Sequence, residues 1–120
     1  MKVAITAVDK TLDAKIDPRF GRSKFFIAID TETGKFEVVD NTVNLNAAQG
    51  AGIQSAANVA ELGAEAVITG HVGPKAFSAL NAAGIKIYTL AESITVADAL
   101  ELFKSGSLKC ADNADVEGHW

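Results

Sequence analysis

Two apolar runs, Val3-Ala4-Ile5-Thr6-Ala7-Val8 and Phe25-Phe26-Ile27-Ala28-Ile29, open the chain. Short runs rich in β-branched and aromatic residues, bounded by turn residues, predict strands. Asp30-Thr31-Glu32-Thr33-Gly34 separates the second run from Lys35-Phe36-Glu37-Val38-Val39-Asp40 and predicts a hairpin, so the first three strands form an antiparallel meander. The period then changes. Ile53, Ala56, Ala57 and Ala60 recur at i, i+3, i+4 and i+7, one face of a helix that ends near Gly63. Ala66-Val67-Ile68-Thr69 predicts a buried strand. Gly73-Pro74 opens a second helix with proline at its first position; Phe77 and Leu80 supply its apolar face and Gly84 stops it. A fifth strand, Ile85 to Leu90, follows. Thr95 and Asp98 then form a relative of the capping box ahead of Ala99, Leu100 and Phe103, a third helix that stops near Gly106. Beyond it periodicity is lost, which divides the chain into an α/β domain over 1–106 and a polar, mobile tail over 107–120.

A meander followed by βα units packs as an α/β fold with a single mixed five-stranded sheet and helices laid on it. If the second strand is antiparallel to the first, the other strands can all run in one direction. The loops after their carboxyl ends, 9–23, 41–52, 70–75 and 91–95, then converge on one rim of the sheet, where open α/β sheets bind ligands.

Length and charge narrow the classes. One domain fits 120 residues, and an apolar share of 48% supports a core without staples. A net charge of −4 argues against wrapping nucleic acid. The single cysteine, Cys110, excludes an internal disulfide. The alternating amino terminus does not read as a signal peptide, and no run is long enough to span a bilayer. The expectation is a cytoplasmic protein with neither nucleic acid nor membrane as partner.

The segment Asp17-Pro18-Arg19-Phe20-Gly21-Arg22-Ser23 obeys no period. Pro18 pushes Asp17 towards an extended backbone, and Gly21 permits angles that other residues resist. Two guanidinium groups, Arg19 and Arg22, offer donor forks suited to carboxylates or phosphates; a solvated loop anchored in the core by Phe20 is an equal alternative. Gln49-Gly50-Ala51-Gly52 and Thr69-Gly70-His71-Val72-Gly73-Pro74 each introduce a helix, whose amino terminus favours an anion. His71 can bind a metal, hold an anion as a cation, or hydrogen-bond its own loop. Lys75 opposes the dipole of the helix it begins and makes more sense beside a negative ligand. Cys110 and His119 match no compact zinc spacing. Asp9, Asp13, Asp17, Asp30 and Asp40 raise a metal-dependent nuclease, although most occupy turns where aspartate is expected.

Taken together, residues 17–23, 49–52, Thr69-Gly70, Gly73-Pro74-Lys75-Ala76 and Ala83-Gly84-Ile85 resemble the dinitrogenase iron-molybdenum cofactor-binding family over residues 1 to about 106. The resemblance implies a ribonuclease H-like sheet of order 3-2-1-4-5. It puts Phe20, Gly21 and Arg22 on the first rim loop, Gly50 and Gly52 on the second, and Gly70, Gly73 and Pro74 on the third. Many relatives carry histidine where Gln49 stands. It further implies a non-catalytic carrier of the iron-molybdenum cofactor or a related iron-sulfur cluster, with nitrogenase-assembly or other cluster-handling proteins as partners. In that role Arg19, Arg22, Lys75 and the helix amino termini neutralise the cluster, and His71 or Cys110 ligates it. The alternative is a small-molecule or phosphate-binding regulatory module without metal ligation.

Overall fold

Residues 1–41, 51–90 and 92–111 are described by a computed structural model, and within them the elements follow the order that the pattern predicts. They are β1 (Lys2–Ala7), β2 (Phe25–Asp30), β3 (Phe36–Asp40), α1 (Ala51–Glu61), β4 (Ala66–Thr69), α2 (Pro74–Ala82), β5 (Lys86–Thr89) and α3 (Val96–Lys104). One mixed sheet holds all five strands in the order β3-β2-β1-β4-β5. β1 pairs antiparallel with β2, Ile5 facing Ile27, and parallel with β4, Ile5 facing Ile68. β3 is antiparallel to β2, and β5 is parallel to β4. So β1, β3, β4 and β5 share a direction, and their carboxyl ends share an edge.

The central strands are buried on both faces, which is why they read as continuous apolar runs rather than alternating ones. On one face Ala4, Phe26, Val67 and Ile87 pack with Ala56 and Val59 of α1 and Ala76 and Leu80 of α2. On the other, Val3, Ile5, Ile27 and Ile68 pack with Val96 and Ala99 of α3 and with Ile16 of the first rim loop. Each helix stops at a glycine in the left-handed region, Gly63 (φ 78°), Gly84 (φ 76°) and Gly106 (φ 75°), as the glycine signals predict. No described helix is long and apolar enough to cross a membrane.

Two expectations change. The buried face of α1 carries Ala51, Ser55, Ala56 and Val59, while Ile53 is 48% exposed and Ala57 and Ala60 face solvent. Close packing on α2 selects the small residues: a Cβ on Gly52 would come within 2.9 Å of the Ala76 Cβ, leaving no space there for a branched side chain. The start of the tail is docked. Cys110 bridges Tyr88, Ala111 N–H donates to the Ile87 carbonyl at 2.7 Å, and Leu108 packs against the α3 side of the core.

Candidate functional site

The first rim loop is fastened where it leaves the sheet. Thr6 Oγ1 donates to the Asp17 carbonyl at 2.6 Å, and Asp17 N–H donates to the Thr6 carbonyl at 3.0 Å. The Thr6 and Thr69 hydroxyls, at the ends of two adjacent strands, are hydrogen-bonded at 3.0 Å. The Asp17 residue is 3% exposed, and its Oδ1 accepts Arg19 N–H at 3.1 Å with Arg19 Nε 3.8 Å away. Inside the molecule the carboxylate therefore shapes the turn and holds the guanidinium stem beside it. Phe20 is 0% exposed, its ring centroid 5.5 Å from that of Phe26. Its side chain takes the place of the core anchor. Gly21 is buried and is not among the described glycines with left-handed φ, so its backbone does not use the freedom suggested by the sequence.

The first and third rim loops are hydrogen-bonded to each other. His71 N–H donates to the Pro18 carbonyl at 2.7 Å and Phe20 N–H to the His71 carbonyl at 3.1 Å, a short parallel bridge pairing Arg19 with His71. Gly70 makes this crossing possible: a Cβ there would lie 2.7 Å from both the Cα and the carbonyl oxygen of Pro18. His71 is half-buried and borders a depression of about 80 Å³ with Ile16, Pro18, Gly70, Leu90, Glu92 and Ser93. Two residues on, Gly73 (φ −77°, ψ 168°) precedes α2 without any side-chain cap, and Pro74 brings no N–H. The first turn closes with Phe77 N–H donating to the Gly73 carbonyl at 2.9 Å, so the Lys75 and Ala76 N–H groups have no intrahelical acceptor. Lys75 is exposed beside them.

The amino terminus of α3 is a contrast on the same rim. Thr95 Oγ1 accepts Asp98 N–H at 3.1 Å, Val96 N–H donates to Ala14 O at 2.9 Å, and Ala97 N–H donates to Leu12 O at 3.0 Å. Its donors are consumed within the fold. Of these two helix starts, only that of α2 keeps backbone donors for a ligand, next to Arg19, His71 and Lys75. Gly52 contributes to helix packing at Ala76, while Gln49, Gly50 and His119 lie outside the described residues.

Cys110 is placed elsewhere. It borders a depression of about 260 Å³ with Phe77, Asn81, Gly84, Ile85, Lys86, Ile87 and Ala111, beyond the β5 edge and towards the carboxyl end of α2. Cys110 pairs with Tyr88, which faces Ile68, whereas His71 lies three residues past Ile68, so the two are separated by about two strand spacings, roughly 10 Å, across the sheet and by a similar distance along it. That separation does not suit a shared metal ion. Among the described residues no three His, Cys, Asp or Glu side chains gather into a metal-binding group, the aspartates raised for a nuclease included.

Sequence reasoning missed the polar residues that hold the rim from beneath. Thr6 and Thr69 are the polar residues near the carboxyl ends of two apolar strand runs, a signal visible in the pattern once β1 and β4 are known to be neighbours. Ser23, Asn41 and Ser55 form a second buried group under the first loop, and only the fold brings them together.

Comparison with known proteins agrees with this frame. The model of the family described as dinitrogenase iron-molybdenum cofactor matches residues 1–106. An uncharacterized protein of Methanocaldococcus jannaschii is 31% identical over 113 residues, 91% of this chain and 94% of that protein. The apo form of the orange protein from Desulfovibrio gigas superposes with a TM-score of 0.94 at 42% identity over 96% of both chains. A NifB-like protein from Thermotoga, of the DUF35 family, does so with a TM-score of 0.84 at 38% identity over 98% of both. The chain belongs to the dinitrogenase iron-molybdenum cofactor family.

Proposed function

We propose that this protein is a non-catalytic carrier of an anionic metallocluster of the iron-molybdenum cofactor type, delivering it to or receiving it from cluster-handling proteins. The observation that carries the proposal is the uncapped start of α2, whose Lys75 and Ala76 N–H groups lie on the rim segment bridged to Arg19 through His71. Backbone donors at a helix start, an ammonium and guanidinium groups together favour a negative guest. A preformed cluster brings its own sulfide ligands and needs charge neutralisation more than a full set of protein ligands. The described residues suit that need, offering cations and N–H donors without a three-ligand group for a bare ion. His71 brings an imidazole to this rim, and Arg22 adds charge from the adjoining loop. Family membership supports the kind of guest, and the orange protein was solved in an apo form.

Anaerobic titration with isolated iron-molybdenum cofactor followed by gel filtration should show metal co-eluting with the protein, with retention lost in Arg22→Ala and reduced in His71→Ala. A wild-type protein that never retains metal or cluster would end this reading. A second reading, a small-molecule or phosphate-binding regulatory module, draws support from the separation of His71 and Cys110. Ligands that bind only the native state raise apparent stability by mass action. In a thermal-shift screen with phosphate compounds, stabilisation equal in wild type and His71→Ala would favour it.

A further inference from the structure

Asp17 puts a nearly buried carboxylate beside the cations of the rim. It is 3% exposed, and its backbone is pinned to the end of β1, its N–H donating to the Thr6 carbonyl at 3.0 Å and its carbonyl accepting Thr6 Oγ1 at 2.6 Å. Thr6 Oγ1 also lies 3.0 Å from Thr69 Oγ1, so the pin reaches β4. From this fixed place Asp17 Oδ1 accepts Arg19 N–H at 3.1 Å and stands 3.8 Å from Arg19 Nε. Among the described residues this is the one ionic partner of Arg19, whose side chain remains 42% exposed. Arg19 is in turn bridged to His71, on the loop that leads to the open start of α2.

A buried carboxylate costs desolvation, and beside an anionic guest it also repels. Asparagine supplies the same turn acceptor for Arg19 N–H at lower cost, so what aspartate alone adds is charge. The cation placed to use that charge is Arg19. A guanidinium is planar, with Nε at the stem and the two Nη groups at the far end, so a carboxylate held inside the fold at Nε restrains the plane and leaves the Nη fork for a second anion. We infer that Asp17 is a positioning residue: it holds Arg19 at Nε, and the Nη groups so presented bind the anionic guest. The inference rests on the carrier reading above and adds to it a carboxylate that strengthens anion binding although its own charge opposes it.

A double-mutant cycle on binding of isolated iron-molybdenum cofactor tests it by sign. Asp17→Asn keeps the acceptor for Arg19 N–H and removes the charge. In the wild-type background it should weaken binding roughly fivefold, the scale of one well-placed ion pair. In an Arg19→Ala background, where only the repulsion is left to remove, it should strengthen binding or leave it unchanged. Strengthened or unchanged binding in the wild-type background, or weakening of similar size in both, would overturn the inference. If Asp17→Asn fails to fold, Arg19→Lys takes its place: it keeps the cation, gives up the planar fork and should lose as much binding as Arg19→Ala, whereas wild-type affinity would overturn the inference. A measurement without ligand separates this inference from the carrier reading. The ¹⁵N order parameter of Arg19 Nε should fall in Asp17→Asn while that of the Arg19 backbone holds, since its N–H acceptor remains. If wild type binds no cluster, the carrier reading fails and the order parameters alone decide whether Asp17 holds Arg19: an unchanged Nε value overturns the positioning role.

Discussion

At Gly70 an added Cβ would lie 2.7 Å from the Cα and carbonyl oxygen of Pro18, backbone atoms that the Thr6–Asp17 and His71–Pro18 hydrogen bonds hold in place. Gly70→Ala should therefore destabilise the protein by about 1–3 kcal/mol, the usual range for overpacking. Urea denaturation measures this, and an unchanged midpoint would show that the loop crossing can widen freely. Asp30 is a residue of another kind, since its role depends on charge. Its carboxylate accepts N–H bonds from Glu32 at 2.9 Å and from Thr33 at 3.3 Å in the hairpin turn, and chiefly these hold its pKa below the usual 3.8. A pKa lowered by folding stabilises the native state above the unfolded value, and that contribution is lost as pH falls through the folded value. Asp30→Asn keeps an acceptor and removes the charge. Its thermal midpoint should lie below that of wild type near neutrality, and the gap should close well below pH 3.8.

Between elements, the approach of α1 to α2 sets the sign of a common stabilising substitution. Alanine is favoured over glycine in a helix by about 1 kcal/mol. At Gly52, however, the new methyl would stand 2.9 Å from the Ala76 Cβ, closer than real contacts allow. Separating the helices would loosen the packing around Ala56, Val59 and Leu80, so Gly52→Ala should lower the thermal midpoint despite the propensity gain. Gly52→Ala/Ala76→Gly moves the methyl to the partner helix and should recover part of the loss, whereas additive losses would refute this packing account. The same contact explains why the helix over 51–61 was legible but its buried face was not. Ile53 is the largest apolar residue in that helix, and periodicity naturally centres on it; the buried face instead runs through Ala51, Ser55, Ala56 and Val59, with the close approach to α2 at Gly52.

For the whole molecule, the boundary between domain and tail does not coincide with the end of α3. Leu108 joins the core, and the Ala111–Ile87 hydrogen bond extends the sheet beyond β5. Truncation after Gly106 should cost about 1–3 kcal/mol through lost apolar burial and one buried-edge hydrogen bond. A truncated chain with the wild-type urea midpoint would restore 106 as the true boundary. The sequence by itself determined the elements, their order and the glycine stops, because period, caps and turn residues act over a few neighbouring positions. Resemblance in its motifs also pointed to the family. Only the tertiary structure decided what the rim residues do, since each role depends on a contact far along the chain. It made Phe20 a core anchor, turned Gly70 into a crossing point for Pro18, closed the start of α3 while leaving that of α2 open, and set Cys110 apart from His71.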